Sequence, residues 1–135
     1  MSPATRLSPG TYIRLRRRHA GLTRRRVADL MNQTPAAADA TLQQLIHFEA
    51  TSEILPGFFI TLYRLGPLLA LDNDLLEAMA MGNPAPSACI FCGCTFTTPC
   101  ITISGAYCHW SDEEHTICSA CTPADQAAAL DKEPA

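Results

Sequence analysis

The stretch IRLRRRHAGLTRRRVADL, residues 13–30, decides the fold. It reads as two short helices hinged at a glycine. The first, Thr11–Ala20, has apolar positions at Tyr12, Ile13, Leu15 and Ala20, with Pro9 just ahead, where a helix start tolerates proline. Gly21 is a natural stop, because glycine enters the left-handed region without strain. Thr23 is an N-cap for the second helix, whose apolar stripe is Val27, Ala28, Leu30 and Met31. Arg24, Arg25 and Arg26 occupy its first turn, where the helix dipole disfavours cations. A phosphate bound there would relieve the repulsion.

Working outward, Asn32–Ala36 reads as a break and Ala37–Ala50 as a third helix on Leu42, Leu45, Ile46 and Phe48. Phe58–Leu71 and Asp74–Met81 complete five helices, with Asp72 to Asp74 as link and cap. The expected fold is all-α. A five-helix domain over residues 1–82 leads through a Pro-rich linker at 83–88 to a Cys-rich module at 89–121. That module has little regular structure, and an acidic tail occupies 122–135.

Composition agrees with a folded chain. Of 135 residues 47% are hydrophobic and 17% charged, enough apolar matter for a core. The longest apolar run, Phe58–Leu71, is broken by Arg64, Gly66 and Pro67, so no membrane span is expected. The N-terminus lacks a secretory h-region, so the expected location is the cytoplasm. Residues 1–82 carry nine arginines against seven acids, whereas residues 83–135 carry one lysine against six. Seven of the arginines fall between Arg14 and Arg26, which suggests an anionic partner, nucleic acid phosphate first.

Seven cysteines cannot all pair, which points to metal chemistry in a reducing compartment. Cys89-Ile-Phe-Cys92 and Cys118-Ser-Ala-Cys121 are two C-x-x-C knuckles, a zinc spacing. One zinc is expected on these four thiolates. Gly93 directly after the knuckle suits a positive φ. Cys94, Cys100 and Cys108 remain, with His109 and His115 nearby. They can take a second ion with a histidine or a shared thiolate, pack as buried thiols, or join an iron–sulfur cluster, and ligands swapped between the two sets stay open. Trp110 is expected at the module's small core with Phe91, Ile101, Ile103, Tyr107 and Ile117 around it. So few apolar groups cannot offset chain entropy without metal.

The run through Gly21-Leu22-Thr23 and Val27-Ala28, followed by Ile46-His47-Phe48-Glu49, resembles a Cro/C1-type (repressor-like) helix-turn-helix domain. The resemblance implies that the third helix enters the major groove, offering Thr41, Gln43, Gln44 and His47, with phosphate contacts from Thr23, Arg24, Arg25 and Arg26. It also implies an ion pair between Arg17 and Glu49. The chain departs from the pattern in extra length at Asn32–Ala40, in Thr51 where glycine is common, and in a third helix without lysine or arginine. The string C-I-F-C-G-C-T, then Cys100, Cys108-His-Trp110 and C-S-A-C, is similar to a cysteine module of phage and bacterial proteins. Together the two resemblances imply a bacterial or phage DNA-binding transcription regulator with a structural zinc module that serves a homodimer or a protein partner. The alternatives are a protein-interaction adaptor and a thiol or metal sensor. No enzyme is expected, since the sequence has no nucleophile–base motif and no Gly-rich phosphate loop.

Overall fold

The computed structural model describes residues 7–50, 58–81, 87–101, 105–111, 113 and 115–121. The linker residues 83–86, Ile103 and the tail 122–135 lie outside the described residues. Five helices follow in order: α1 Pro9–His19, α2 Arg24–Met31, α3 Pro35–Ala50, α4 Phe58–Leu69 and α5 Asn73–Met81. Among the described residues there is no strand. Two isolated antiparallel bridges, Ile101 with Tyr107 and Trp110 with Cys118, are the only β pairing among them.

Local chemistry sets the helix ends. Ser8 Oγ accepts from Thr11 N at 3.2 Å, with Pro9 at the first helical position. Gly21 closes α1 at φ +74, and Thr23 Oγ1 accepts from Arg26 N at 3.0 Å to open α2. The third helix begins two residues earlier than expected. Pro35 is its first residue and not a breaker, because Thr34 caps it through Ala37 N at 3.2 Å. The extra length at Asn32–Ala40 is therefore mostly helix, and the link from α2 to α3 shrinks to Asn32–Thr34. Ala70 at φ +53 ends α4, before Leu71.

The core holds Tyr12, Ile13, Val27, Leu45, Phe48, Leu65, Leu69, Leu71, Leu75 and Leu76. Leu30 and Ile46, expected on apolar faces, are instead exposed at 47% and 45%. A fully buried arginine fastens α1 to α3. Arg17 Nε reaches Glu49 Oε2 at 2.7 Å and its Nη2 reaches Oε1 at 2.9 Å, while Nη1 donates to Leu22 O at 3.0 Å. Two parallel charge-assisted bonds plus a carbonyl meet the demand of a buried guanidinium.

The cysteine segment packs onto this bundle at the α4–α5 junction and α1. Asp72 caps α5 by accepting from Leu75 N at 3.1 Å, and its other oxygen accepts from Thr95 Oγ1 at 2.6 Å and Thr97 Oγ1 at 2.7 Å. Burial works against ionisation of this carboxyl, but the hydrogen bonds from Thr95, Thr97 and the Leu75 and Asp74 N–H groups together prevail and hold it below the usual aspartate value. Asp72 N donates to Tyr12 Oη at 2.8 Å, and burial pushes the Tyr12 phenol up to about 12. Arg16, 4% exposed, donates to Cys92 O at 3.0 Å and Leu69 O at 3.4 Å. Gly93 sits against this arginine at φ +75, and a Cβ there would lie 2.8 Å from Arg16 Cδ. Glycine is needed both for the backbone turn and for the close approach.

Candidate metal centre

The first knuckle turns between Cys89 and Cys92, closed by Gly93 N donating to Cys89 O at 2.8 Å and Cys89 N donating to Cys94 O at 2.9 Å. Ile90 N donates to Thr116 O at 2.9 Å, which draws the second knuckle alongside. The bridge between Trp110 and Cys118 and the bond from Ser119 N to His109 O at 2.6 Å fix that second knuckle. The four knuckle sulfurs thus converge. Cys89 lies 3.6 Å from Cys121, Cys92 lies 3.6 Å from Cys118, and Cys118 lies 3.7 Å from Cys121, sulfur to sulfur. A tetrahedron with metal–sulfur bonds of ~2.3 Å has edges of ~3.8 Å. Cys89, Cys92, Cys118 and Cys121, all within 4.8 Å of one another, therefore fit one four-coordinate ion.

A second four-sulfur group meets the same limit: Cys92, Cys94, Cys100 and Cys118, all buried. It differs from the Cys94, Cys100 and Cys108 set of the sequence reading by taking both inner knuckle sulfurs in place of Cys108. Cys92 lies 3.7 Å from Cys100. Cys108 stays at the margin, 3.8 Å from Cys94, and its sulfur accepts from Cys100 N at 3.2 Å. His109 and His115 do not join either group. His115, at φ +57, stacks on Trp110 with ring centres 5.4 Å apart. The histidine that does approach is His19 at the end of α1, with Nε2 3.3 Å from Cys100 Sγ. No local sequence signal singles out His19 or Arg16, because both meet the cysteines across more than seventy residues.

Sulfurs this crowded cannot all ionise together without a counter-charge. The same thiol-to-thiolate bonds act in opposite directions: Cys92 is pushed up chiefly by Cys100 and Cys118, and Cys100 is pulled down by Cys118 and Cys92. A cation among them lets every ligand be a thiolate at once. The module's expected hydrophobic centre is also corrected. Its buried cluster is Cys89, Cys92, Cys94, Cys100 and Cys118, with Phe91 and Trp110 only partly buried against it. Ile101 and Tyr107 point to solvent at 69% and 71% exposure. The core of this segment is sulfur.

The residues expected to meet DNA divide. Arg26, Gln43, Gln44 and His47 are exposed. Arg25 pairs with Asp39 at 3.0 Å and with Asp29 at 3.9 Å, and Arg24 Nε pairs with Glu49 at 3.1 Å. Acids of α2 and α3 thus relieve the cationic first turn that the sequence reading assigned to phosphate. Thr23 spends its hydroxyl on the cap. Thr41 is a correction: at 6% exposure it faces the core, where its hydroxyl accepts from Asn32 Nδ2 at 2.8 Å, so it lies off the face of Gln43 and Gln44. No helix of the described residues is long and apolar enough to cross a membrane. No family model, curated protein or solved structure matches the chain.

Proposed function

We propose that the chain is a cytoplasmic, sequence-specific DNA-binding transcription regulator whose cysteine centre is a structural zinc site. The observation that carries it is the α2–Asn32–Thr34–α3 unit, two helices joined by a tight link and clamped to α1 by Arg17 and Glu49. That unit presents Gln43, Gln44 and His47 on one side of α3 and Arg25 and Arg26 at the start of α2. Gln can bond an adenine edge bidentately, and the arginines would hold phosphates once Arg25 releases Asp39. Zinc suits the centre because each group offers four thiolates and no open position, which argues for scaffolding and against catalysis. An iron–sulfur cluster needs room for inorganic sulfide that sulfurs in mutual contact do not leave.

Binding to genomic fragments at several salt concentrations tests the reading. Arg26→Ala is expected to weaken binding evenly across sequences and lower the salt slope by about one unit, and Gln43→Ala to relax preference at one base pair. Binding that ignores salt ends the proposal.

A second reading, a protein-interaction adaptor, is favoured by one feature. A cleft of about 760 Å³ beside the centre is lined by Phe96, Ile101, Tyr107 and Trp110 among others, with Phe96 93% exposed. A Phe96→Ala variant that keeps DNA binding but loses a co-purifying protein supports the adaptor role.

A further inference from the structure

We infer that six of the seven cysteines hold not one ion but a binuclear thiolate cluster, two divalent ions bridged by Cys92 and Cys118. Cys89 and Cys121 would complete one tetrahedron, and Cys94 and Cys100 the other. The inference rests on the metal reading above and extends it to the number of ions and the identity of the bridges.

The two four-sulfur groups intersect only at Cys92 and Cys118. These two sulfurs lie 3.6 Å apart, close to the ~3.8 Å edge that two zinc–thiolate tetrahedra would share. A thiolate has lone pairs for two metals, so the shared edge costs no ligand. Charge favours the arrangement too. One dication with four thiolates and two dications with six carry the same net charge, so filling the second group adds nothing to the burden on the fold. The surroundings of that group are also built for an anion. His19 Nε2 approaches Cys100 Sγ at 3.3 Å, and the buried Arg16 guanidinium is held against the Cys92 carbonyl at 3.0 Å. Buried neutral thiols would need neither. Cys108 is the sulfur left over. It accepts the Cys100 N–H and so orients a ligand without being one.

The experiment is metal analysis of the full-length protein, purified under reducing conditions, followed by cadmium-113 NMR after exchange of zinc for cadmium. Two zinc ions per chain are expected, and two cadmium resonances split by mutual coupling through the bridging sulfurs. Cys100→Ser is expected to lower the count from two to one and abolish the splitting. Cys108→Ser is expected to keep both ions and the splitting, which guards against a variant that merely misfolds. One zinc per chain, or two resonances without coupling, overturns the binuclear cluster and leaves the structural zinc reading standing. Iron with acid-labile sulfide, or no metal at all, overturns both.

Discussion

In the helical head the buried cluster is Tyr12, Ile13, Val27, Leu45, Phe48 and five further leucines, whereas in the cysteine segment it is five sulfurs. The head gains ~1.5–3 kcal/mol for each large side chain withdrawn from water and so meets its own conformational cost. Among its described residues the segment has neither an aliphatic core nor a helix or strand to do the same, and a metal held by its thiolates would supply the missing order. A short chain can therefore join a self-sufficient fold to a dependent one, provided the dependent part docks on the other. Here that docking runs through Asp72, Tyr12, Arg16 and Gly93.

The strongest test of this contrast is metal removal. Structural zinc contributes on the order of 10–16 kcal/mol to such segments. A strong chelator is expected to shift Trp110 fluorescence and open the segment to protease, while the far-ultraviolet helical signal survives. Loss of helix at the same chelator concentration would break the comparison. Next in size is Arg17→Met, which leaves the buried Glu49 carboxylate to the partly exposed Arg24. It is expected to cost about 3–5 kcal/mol, read as a lower denaturation midpoint, with part regained in Arg17→Met/Glu49→Leu. Metal content should stay unchanged, because this damage belongs to the head.

Asp72→Asn strikes both halves at once, and about 1–3 kcal/mol is expected. Its pH signature has a definite sign. The folded carboxyl titrates below its ordinary value of 3.8, so its contribution is complete above that pH and disappears as pH falls through the lower folded value. The wild type should lose more stability than Asp72→Asn below about pH 4. Gly93→Ala should cost about 1–2 kcal/mol through the left-handed backbone and the crowding at Arg16, seen as faster metal release to a chelator. The smallest effect is Arg25→Ala, within about 0.5 kcal/mol in a melting curve, because both of its ion pairs are exposed.

What the sequence makes legible follows the range of the forces involved. Helix starts at Thr23 and the stop at Gly21 are written in one or two residues, and the five-helix order can be read from them. The start of α3 is misread because Pro35 looks the same as a breaker or as a first helical residue, and only the Thr34 cap decides. The knuckle spacing points to four converging sulfurs, but nothing along the chain says that Cys94 and Cys100 fold back onto Cys92 and Cys118. The Arg17–Glu49 contact spans 32 residues and comes from a resemblance, since no local pattern encodes it. The inward turn of Thr41 escapes for a related reason, because on a helix so poor in apolar contrast a threonine does not announce its side.

Within one helix, Tyr12 meets the α4–α5 corner, Arg16 the first knuckle, Arg17 the third helix and His19 the sulfurs. Neighbouring side chains on a single rod thus answer to different masters, and the rod cannot slide or rotate to please one without offending the rest. A chimera that transplants the cysteine tail onto a foreign head would have to bring α1 along as its adaptor. A substitution at Arg16 or His19 is accordingly expected to disturb the knuckles as well as the head.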